Sequence, residues 1–271
     1  MRVTVSGGVH GNELLGIYLV KTVQNEPLKF ENIDVDFLLA NPKAIKECRR
    51  YIDFDLNRSF GKESLEKDSH IYEYERAKVI KERLKETDFL IDLHTTTANM
   101  GITIVLSQDD PLSNSVAKIL ALEYDDVRIL RWFGNSEGDF INSITPSSIT
   151  IEVGPVPQGV LDADLFFRTK KVLLAALRIL ELGEKCEESV ECYDIFETVG
   201  FPRKGQELEG MIHPELAFKD YSYLHKGDPV FITFDEKEIF HEGDEGFAVF
   251  INEAAYYEKD IAFCLTKKAK I

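Results

Sequence analysis

Through residues 1–185 the chain alternates short apolar runs with longer stretches of helical spacing, and this confines it to layered α/β architectures. Candidate strands cover residues 3–6, 33–39, 88–93, 102–106, 127–132 and 149–153. Several are apolar without interruption, as strands buried on both faces should be. Candidate helices cover 12–24, 70–86, 112–122 and 163–182. In the second, Tyr72, Ala77, Ile80 and Leu84 recur at a rough spacing of three to four. Open sheets of this kind bind ligands at the carboxyl ends of their strands.

After Glu181 the texture changes. A polar break at 183–188 leads into short β-like runs at 190–196, 229–234, 247–251 and 261–265. Turns such as Lys226-Gly227-Asp228-Pro229 and Glu242-Gly243-Asp244 separate them. The reading is an α/β domain over 1–185 and a smaller, mostly β domain over 186–271, without internal repeats. No apolar run approaches the ~20 residues of a membrane span. Met1-Arg2-Val3-Thr4 enters a strand at once and leaves no room for a signal peptide, so a cytoplasmic location is expected.

Lys+Arg 32 against Asp+Glu 48 gives a net charge of −16, which repels nucleic acid and anionic membrane surfaces. Against that background Arg49, Arg50 and Arg58 form a local basic group. Cys48, Cys186, Cys192 and Cys264 lack C-x-x-C spacing and are expected to be reduced and buried. His70, His213, His225 and His241 have no partner pattern and read as surface or structural residues.

Gly7-Gly8-Val9-His10-Gly11-Asn12-Glu13 and Asp92-Leu93-His94 together offer two imidazoles and a carboxylate. That is the ligand set of an open, catalytic zinc site, whereas structural zinc is usually closed by four protein ligands. His10 and Glu13 would flank a strand-to-helix turn, and His94 would end a neighbouring strand. A lone H-x-x-E arises often by chance, so the other clusters matter. Residues 49–58 pack three arginines, two aspartates and an asparagine, which suits carboxylate or oxyanion binding or a charged loop held by ion pairs. Ile151-Glu152-Val153-Gly154-Pro155 sets a carboxylate among apolar neighbours, as a general base requires, or else ends a strand at the surface. Asn252-Glu253-Ala254-Ala255-Tyr256-Tyr257-Glu258-Lys259 is either a plain strand edge or the source of a phenol leaning over the first domain.

Read in order, these blocks resemble the aspartoacylases, zinc amidohydrolases that deacylate N-acetyl-L-aspartate. The likeness also includes Asn41-Pro42-Lys43-Ala44, Asn99-Met100-Gly101, Pro157-Gln158-Gly159-Val160-Leu161, His213-Pro214 and Leu224-His225-Lys226-Gly227-Asp228-Pro229, so it runs nearly from end to end. The late Asn252–Lys259 block is more specific than the metal motif and separates this group from succinylglutamate desuccinylase and zinc carboxypeptidase relatives.

The resemblance implies a zinc carboxypeptidase-like mixed sheet flanked by helices, and one zinc per chain held by His10, Glu13 and His94. It implies Glu152 as the general base that activates the attacking water and then protonates the leaving amine. Arg50 would polarise the acyl carbonyl and stabilise the oxyanion. Asn57 and Arg58 would bind a substrate carboxylate, Tyr256 would close the site, and the assembly would be a homodimer. Three positions depart from the pattern: Gly138 and Asn142 stand where a substrate-binding tyrosine and an arginine are expected, and Asp260 replaces a lysine. Arg128 and Arg131 are the candidates to supply the missing charge. The expected activity is hydrolysis of N-acetyl-L-aspartate. The alternatives are deacylation of N-acyl-aromatic or N-succinyl amino acids, a metallocarboxypeptidase, and a non-catalytic zinc or amino-acid binding protein.

Overall fold

Apolar runs too short to bury themselves alone join edge to edge. In the computed structural model, which describes residues 1–66, 70–133 and 140–271, they build one ten-stranded mixed sheet. In chain order the first strands are β1 (Arg2–Gly7), β2 (Asp34–Leu39), β3 (Phe89–Thr95), β4 (Gly101–Leu106), β5 (Val127–Arg131), β6 (Ser147–Gly154) and β7 (Glu191–Val199). The short β8 (Arg203–Lys204), β9 (Glu207–Leu208), β10 (Gly210–Ile212) and β11 (Tyr223–Leu224) follow. The last are β12 (Pro229–Thr233), β13 (Glu238–Phe240), β14 (Gly246–Val249) and β15 (Phe263–Lys270). Across the large sheet the order is β11-β14-β15-β7-β5-β4-β6-β3-β1-β2. β2, β1, β3 and β6 are mutually parallel, whereas β4 runs antiparallel to β6.

The helices are α1 (Leu14–Val23), α2 (Pro42–Glu47), α3 (Lys62–Glu66), α4 (Tyr72–Arg83), α5 (Pro111–Glu123) and α6 (Ala163–Leu182). Apolar residues of α1, α5 and α6 pack on one face of the sheet against Val3, Val5, Ile91, Leu93, Ile151 and Val153. On the other face, Ala77 and Ile80 of α4 pack against Leu38 and Leu90. With both faces covered, the central strands are continuously buried, and Phe89–Thr95 has no exposed residue. α2 is too short to show a period, but its ends are signposted: Asn41 caps the amide of Ala44 and Pro42 opens the first turn.

The smaller C-terminal β region continues the sheet begun by the first half. β7 pairs in parallel with β5, where Arg131 forks onto Asp194 at 2.5 and 2.6 Å, and β15 then pairs antiparallel with β7. β10, β12 and β13 form a separate three-stranded sheet, and Ile212, Phe231 and Phe263 share one core cluster. Residues 254–259 are a 3-10 helix (Ala254–Lys259) and not the edge of a strand. Its first turn is capped by Glu253, which accepts from the Ala255 amide at 2.9 Å, a local bond that strand pairing would preclude. Cys192 and Cys264 are buried, Cys48 is exposed and Cys186 half-buried. His213 and His241 are buried, and His70 and His225 are exposed. Among the described residues no helix is long and apolar enough to cross a membrane.

One close approach brings the turn after β1 under α2. At Gly11 an added Cβ would lie 2.1 Å from the Ala44 carbonyl carbon and 2.3 Å from its oxygen, so only glycine fits. Gly11→Ala is therefore expected to destabilise the protein by about 1–3 kcal/mol, the usual range for an overpacked site. Urea unfolding measures this, and an unchanged midpoint would show that the turn relaxes freely.

Candidate active site at the carboxyl edge of the sheet

β1 ends at Gly7, and its chain turns through Gly8, whose φ of +72° a side chain would resist, before α1 begins at Leu14. His10 and Glu13 lie in this turn. Glu13 occupies the N-cap position of α1 without capping it, because its carboxylate is used elsewhere. His94 sits on the last turn of the pleat in β3, the parallel neighbour of β1. Because side chains alternate along a strand, Asp92 and His94 share the face opposite Ile91 and Leu93. β6 pairs with β3 so that Thr150 stands beside Asp92 and Glu152 beside His94. The group lies where α1 and α4 depart to opposite faces, the crevice at which such sheets bind ligands.

His10 Nδ1 meets Glu13 Oε1 at 2.6 Å, and His94 Nδ1 meets Glu13 Oε2 at 3.0 Å. The far nitrogen of each ring faces another carboxylate: His10 Nε2 lies 3.1 Å from Asp55 Oδ1, and His94 Nε2 lies 2.7 Å from Asp92 Oδ2. Both rings are thereby pinned with Nδ1 inward and the far nitrogen held by a carboxylate, as the outer nitrogen of a metal-binding histidine usually is. One ligand atom from each of His10, Glu13 and His94 lies within 4.8 Å of the others, and all three residues are buried. Two nitrogens and an oxygen with outer carboxylate partners fit a borderline metal such as zinc and leave a coordination position open.

The electrostatics follow from this packing. Burial works to raise the Glu13 carboxyl, but the charges and hydrogen bonds of His10 and His94 outweigh it and hold it well below the usual range. Burial opposes the charged form of His94, yet Asp92 and Glu13 hold its imidazolium well above the ordinary histidine value. Burial pushes Glu152 up to about 8; His94 opposes the shift, while Glu13 and Glu253 add to it.

The expected residues His10, Glu13, Arg50, Asn57, Arg58, His94, Glu152 and Tyr256 all line one cavity. Arg50 donates to Glu13 Oε1 at 3.4 Å and to Asp55 Oδ2 at 3.3 Å. Asp55 caps the 3-10 turn Leu56–Arg58, which presents Asn57 and Arg58. Asn57 accepts from the Ile141 amide at 3.1 Å, and the Arg58 guanidinium lies 4.2 Å from the centre of the Phe140 ring. Tyr256 enters on the 3-10 helix and packs against Phe250 and Trp132, with ring centroids 5.5 and 6.3 Å apart.

The cavity has lining residues that sequence reasoning missed: Thr96, Val105, Ser107, Trp132, Phe140, Phe250 and Glu253. Glu253 accepts from the Thr97 amide at 2.6 Å and the Thr97 hydroxyl at 2.9 Å, and from the Thr96 hydroxyl. It thus ties the 3-10 helix to the segment following His94. A carboxylate just ahead of a helical turn was its one signal. The aromatic residues had none, since an isolated Trp or Phe reads as core.

The departures resolve unevenly. Asn142 lines the cavity and donates to the Thr150 hydroxyl at 2.6 Å. Asp260 pairs with Arg203 and is not among the lining residues, and Gly138 lies outside the described residues. Neither Arg128 nor Arg131 supplies a charge to the cavity: Arg131 is engaged by Asp194, and Arg128 lies over the Tyr221 ring at 4.8 Å.

The profile of the succinylglutamate desuccinylase/aspartoacylase catalytic domain matches residues 1–180, and that of the AstE/AspA barrel-sandwich hybrid domain matches 188–268. The chain is 42% identical over 286 residues to a probable aspartoacylase of Trichodesmium erythraeum, covering 100% of this chain and 98% of that protein. It is 38% identical over 257 residues to the N-acyl-aromatic-L-amino acid amidohydrolase (carboxylate-forming) of Xenopus laevis, covering 88% and 84%. It is also similar to the crystal structure of murine aminoacylase 3, with a TM-score of 0.94 and 35% identity over 100% of this chain and 96% of that one. The chain belongs to the succinylglutamate desuccinylase/aspartoacylase family of amide-hydrolysing enzymes.

Proposed function

We propose that the protein is a zinc amidohydrolase that splits an N-acyl-L-amino acid into a carboxylate and the free amino acid, favouring apolar or aromatic side chains. The observation that carries the side-chain preference is the cavity wall, which includes Val105, Trp132, Phe140 and Phe250 together with Asn142. Among the described lining residues, Arg50 and Arg58 are the only arginines or lysines, and residues 132–142 contain no Lys, Arg or His. If those two arginines serve the acyl group and the α-carboxylate, a second carboxylate in the substrate finds no further arginine or lysine among the described lining residues, Lys259 standing behind the wall near Arg58 and Asp55, and leaving it unpaired is costly.

In this reading His10, Glu13 and His94 would hold one zinc per chain. Zinc so held supplies Lewis acidity and lowers the pKa of water towards ~7. Glu152 takes a proton from the attacking water and delivers it to the departing amine. Arg50 donates to the oxygen on which negative charge develops. Asn57 and Arg58 grip the α-carboxylate, to which the Tyr256 phenol also donates. Residues 1–185 form the catalytic unit and 186–271 the cap, in a cytoplasmic homodimer. N-acetyl-L-aspartate is the second reading, supported by the likeness to a probable aspartoacylase.

Steady-state kinetics on N-acetyl-L-phenylalanine, N-acetyl-L-aspartate, N-succinyl-L-glutamate and a blocked dipeptide test the proposal. The N-acetyl-aromatic substrate should have kcat/KM at least about tenfold above the aspartate compound. Equal or better use of aspartate would reverse the side-chain assignment, and preference for the dipeptide would favour a carboxypeptidase. Absence of any turnover would leave a binding protein.

Glu152→Gln keeps the shape of the residue but removes the base. Turnover should fall roughly 10²–10⁴-fold while elemental analysis still finds zinc. A His10→Ala, His94→Ala double variant should lose the metal, and full zinc in it would dismiss the ligand assignment.

Tyr256→Phe keeps the ring and should fold normally. Loss of a charge-assisted hydrogen bond worth about 1.5–3 kcal/mol should lower kcat/KM roughly ten- to a hundredfold. Tyr257→Phe is the control: Tyr257 stacks on Phe201 at 4.7 Å and donates to Asn252 Oδ1 at 3.2 Å, away from the cavity. Equal kinetics for both variants would remove Tyr256 from substrate binding.

A further inference from the structure

Glu73, in the first turn of α4, is wholly buried and does not line the cavity. Its Oε1 accepts from the Ile52 amide at 2.8 Å and from Asn41 Nδ2 at 3.2 Å. Its Oε2 accepts from the amides of Asp53 at 3.0 Å and Phe54 at 3.1 Å. All four donors are neutral N–H groups, and three of them are consecutive backbone amides. Successive amides turned to one anion form a concave nest, a conformation that the anion itself stabilises. Burying a carboxyl group is costly unless it is hydrogen-bonded, and here each oxygen accepts from two N–H groups.

The segment so gathered joins the two polar arms of the cavity. Before it stands Arg50, whose carbonyl also accepts from the Gly11 amide at 3.2 Å in the turn that bears His10 and Glu13. After it comes Asp55, which meets His10 and caps the turn presenting Asn57 and Arg58. The Tyr72 amide of α4 donates back to Asp53 Oδ2 at 2.9 Å, so loop and helix are fastened in both directions. The spacing between Arg50 and the Asn57–Arg58 pair is therefore set by the anchoring of residues 52–54.

We infer that Glu73 is a positioning residue that presets the distance between Arg50 and the Asn57–Arg58 pair by gathering the amides of Ile52, Asp53 and Phe54. The inference rests on the hydrolase reading for its catalytic consequence but not for the ordering of the loop. Glu73→Gln replaces one acceptor oxygen with a donor that opposes two of the amides. Amide hydrogen exchange and steady-state kinetics are measured together on the full-length, metal-loaded protein and its variants.

In the parent, the amides of 52–54 should exchange slowly although they lie in an irregular turn. In Glu73→Gln they should exchange at least tenfold faster. kcat/KM for the best N-acyl-amino acid should fall about ten- to a hundredfold, with a raised KM, a lowered kcat and unchanged metal content. Glu73→Asp, which keeps the charge, should recover part of the loss. Asp53→Ala loosens the same loop from its exposed side and should show a smaller change of the same kind. It decides the matter if Glu73→Gln does not fold.

Unchanged exchange overturns the ordering role. Faster exchange with kinetics within threefold of the parent overturns the positioning role. A parent inactive on every N-acyl-amino acid defeats the hydrolase reading and the catalytic half of this inference, and exchange alone then upholds or overturns the loop ordering.

Discussion

The carboxylate of Glu13, held between the inward nitrogens of His10 and His94, is the contact around which the rest of the site is arranged. Three ionisable groups brought together out of water are costly to bury unless their remaining hydrogen-bonding atoms find partners. Asp55 and Asp92 are such partners on opposite sides, one from the arginine loop and one from β3. The Thr95 amide donates to Glu13 Oε2 at 3.0 Å and joins the end of β3 to the turn after β1. The strand-to-helix turn, the end of β3 and the 50–58 loop thus have to come together for any one of them to be correctly placed.

The sheet makes that convergence inexpensive. Parallel pairing of β1, β3 and β6 brings three carboxyl ends to one edge, and the two-residue pleat carries Asp92, His94, Thr150 and Glu152 out on a common face. The opposite face of the same strands is filled by Ile91, Leu93, Ile149, Ile151 and Val153 against the helices. A register slip of one residue would turn the polar set into the hydrophobic core, so the core that holds the fold also holds the chemistry in place.

The C-terminal region completes the enclosure. Glu253 binds the Thr96–Thr97 segment directly after β3, and Tyr51 donates to Glu258 at 2.9 Å across the rim. Phe250 and Tyr256 line the same cavity as His10, Glu13 and His94, and their rings pack against that of Trp132.

By itself the sequence determined the layered α/β class, the change of texture after Glu181 and the short list of chemically capable residues. Those features are local: periodicity, turn chemistry and rare clusters such as Arg49–Arg58 or the two histidines near glycine and aspartate. The metal-ligand candidates and Glu152 were legible because each stands next to a strand pattern that predicts an edge. Tertiary structure alone decided three further matters. β7, β15, β14 and β11 extend the first sheet because Tyr193 and Asp194 pair with Leu130 and Arg131, a contact between segments about sixty residues apart that no window of sequence contains. The 252–259 block is a 3-10 helix because Glu253 satisfies its first turn, and propensity alone does not separate that from a strand edge. Val105, Trp132, Phe140 and Phe250 come from separate elements yet line one cavity, and each alone reads as ordinary core. Local pattern reports what a residue is capable of, and only the packed chain reports which residues share one small volume.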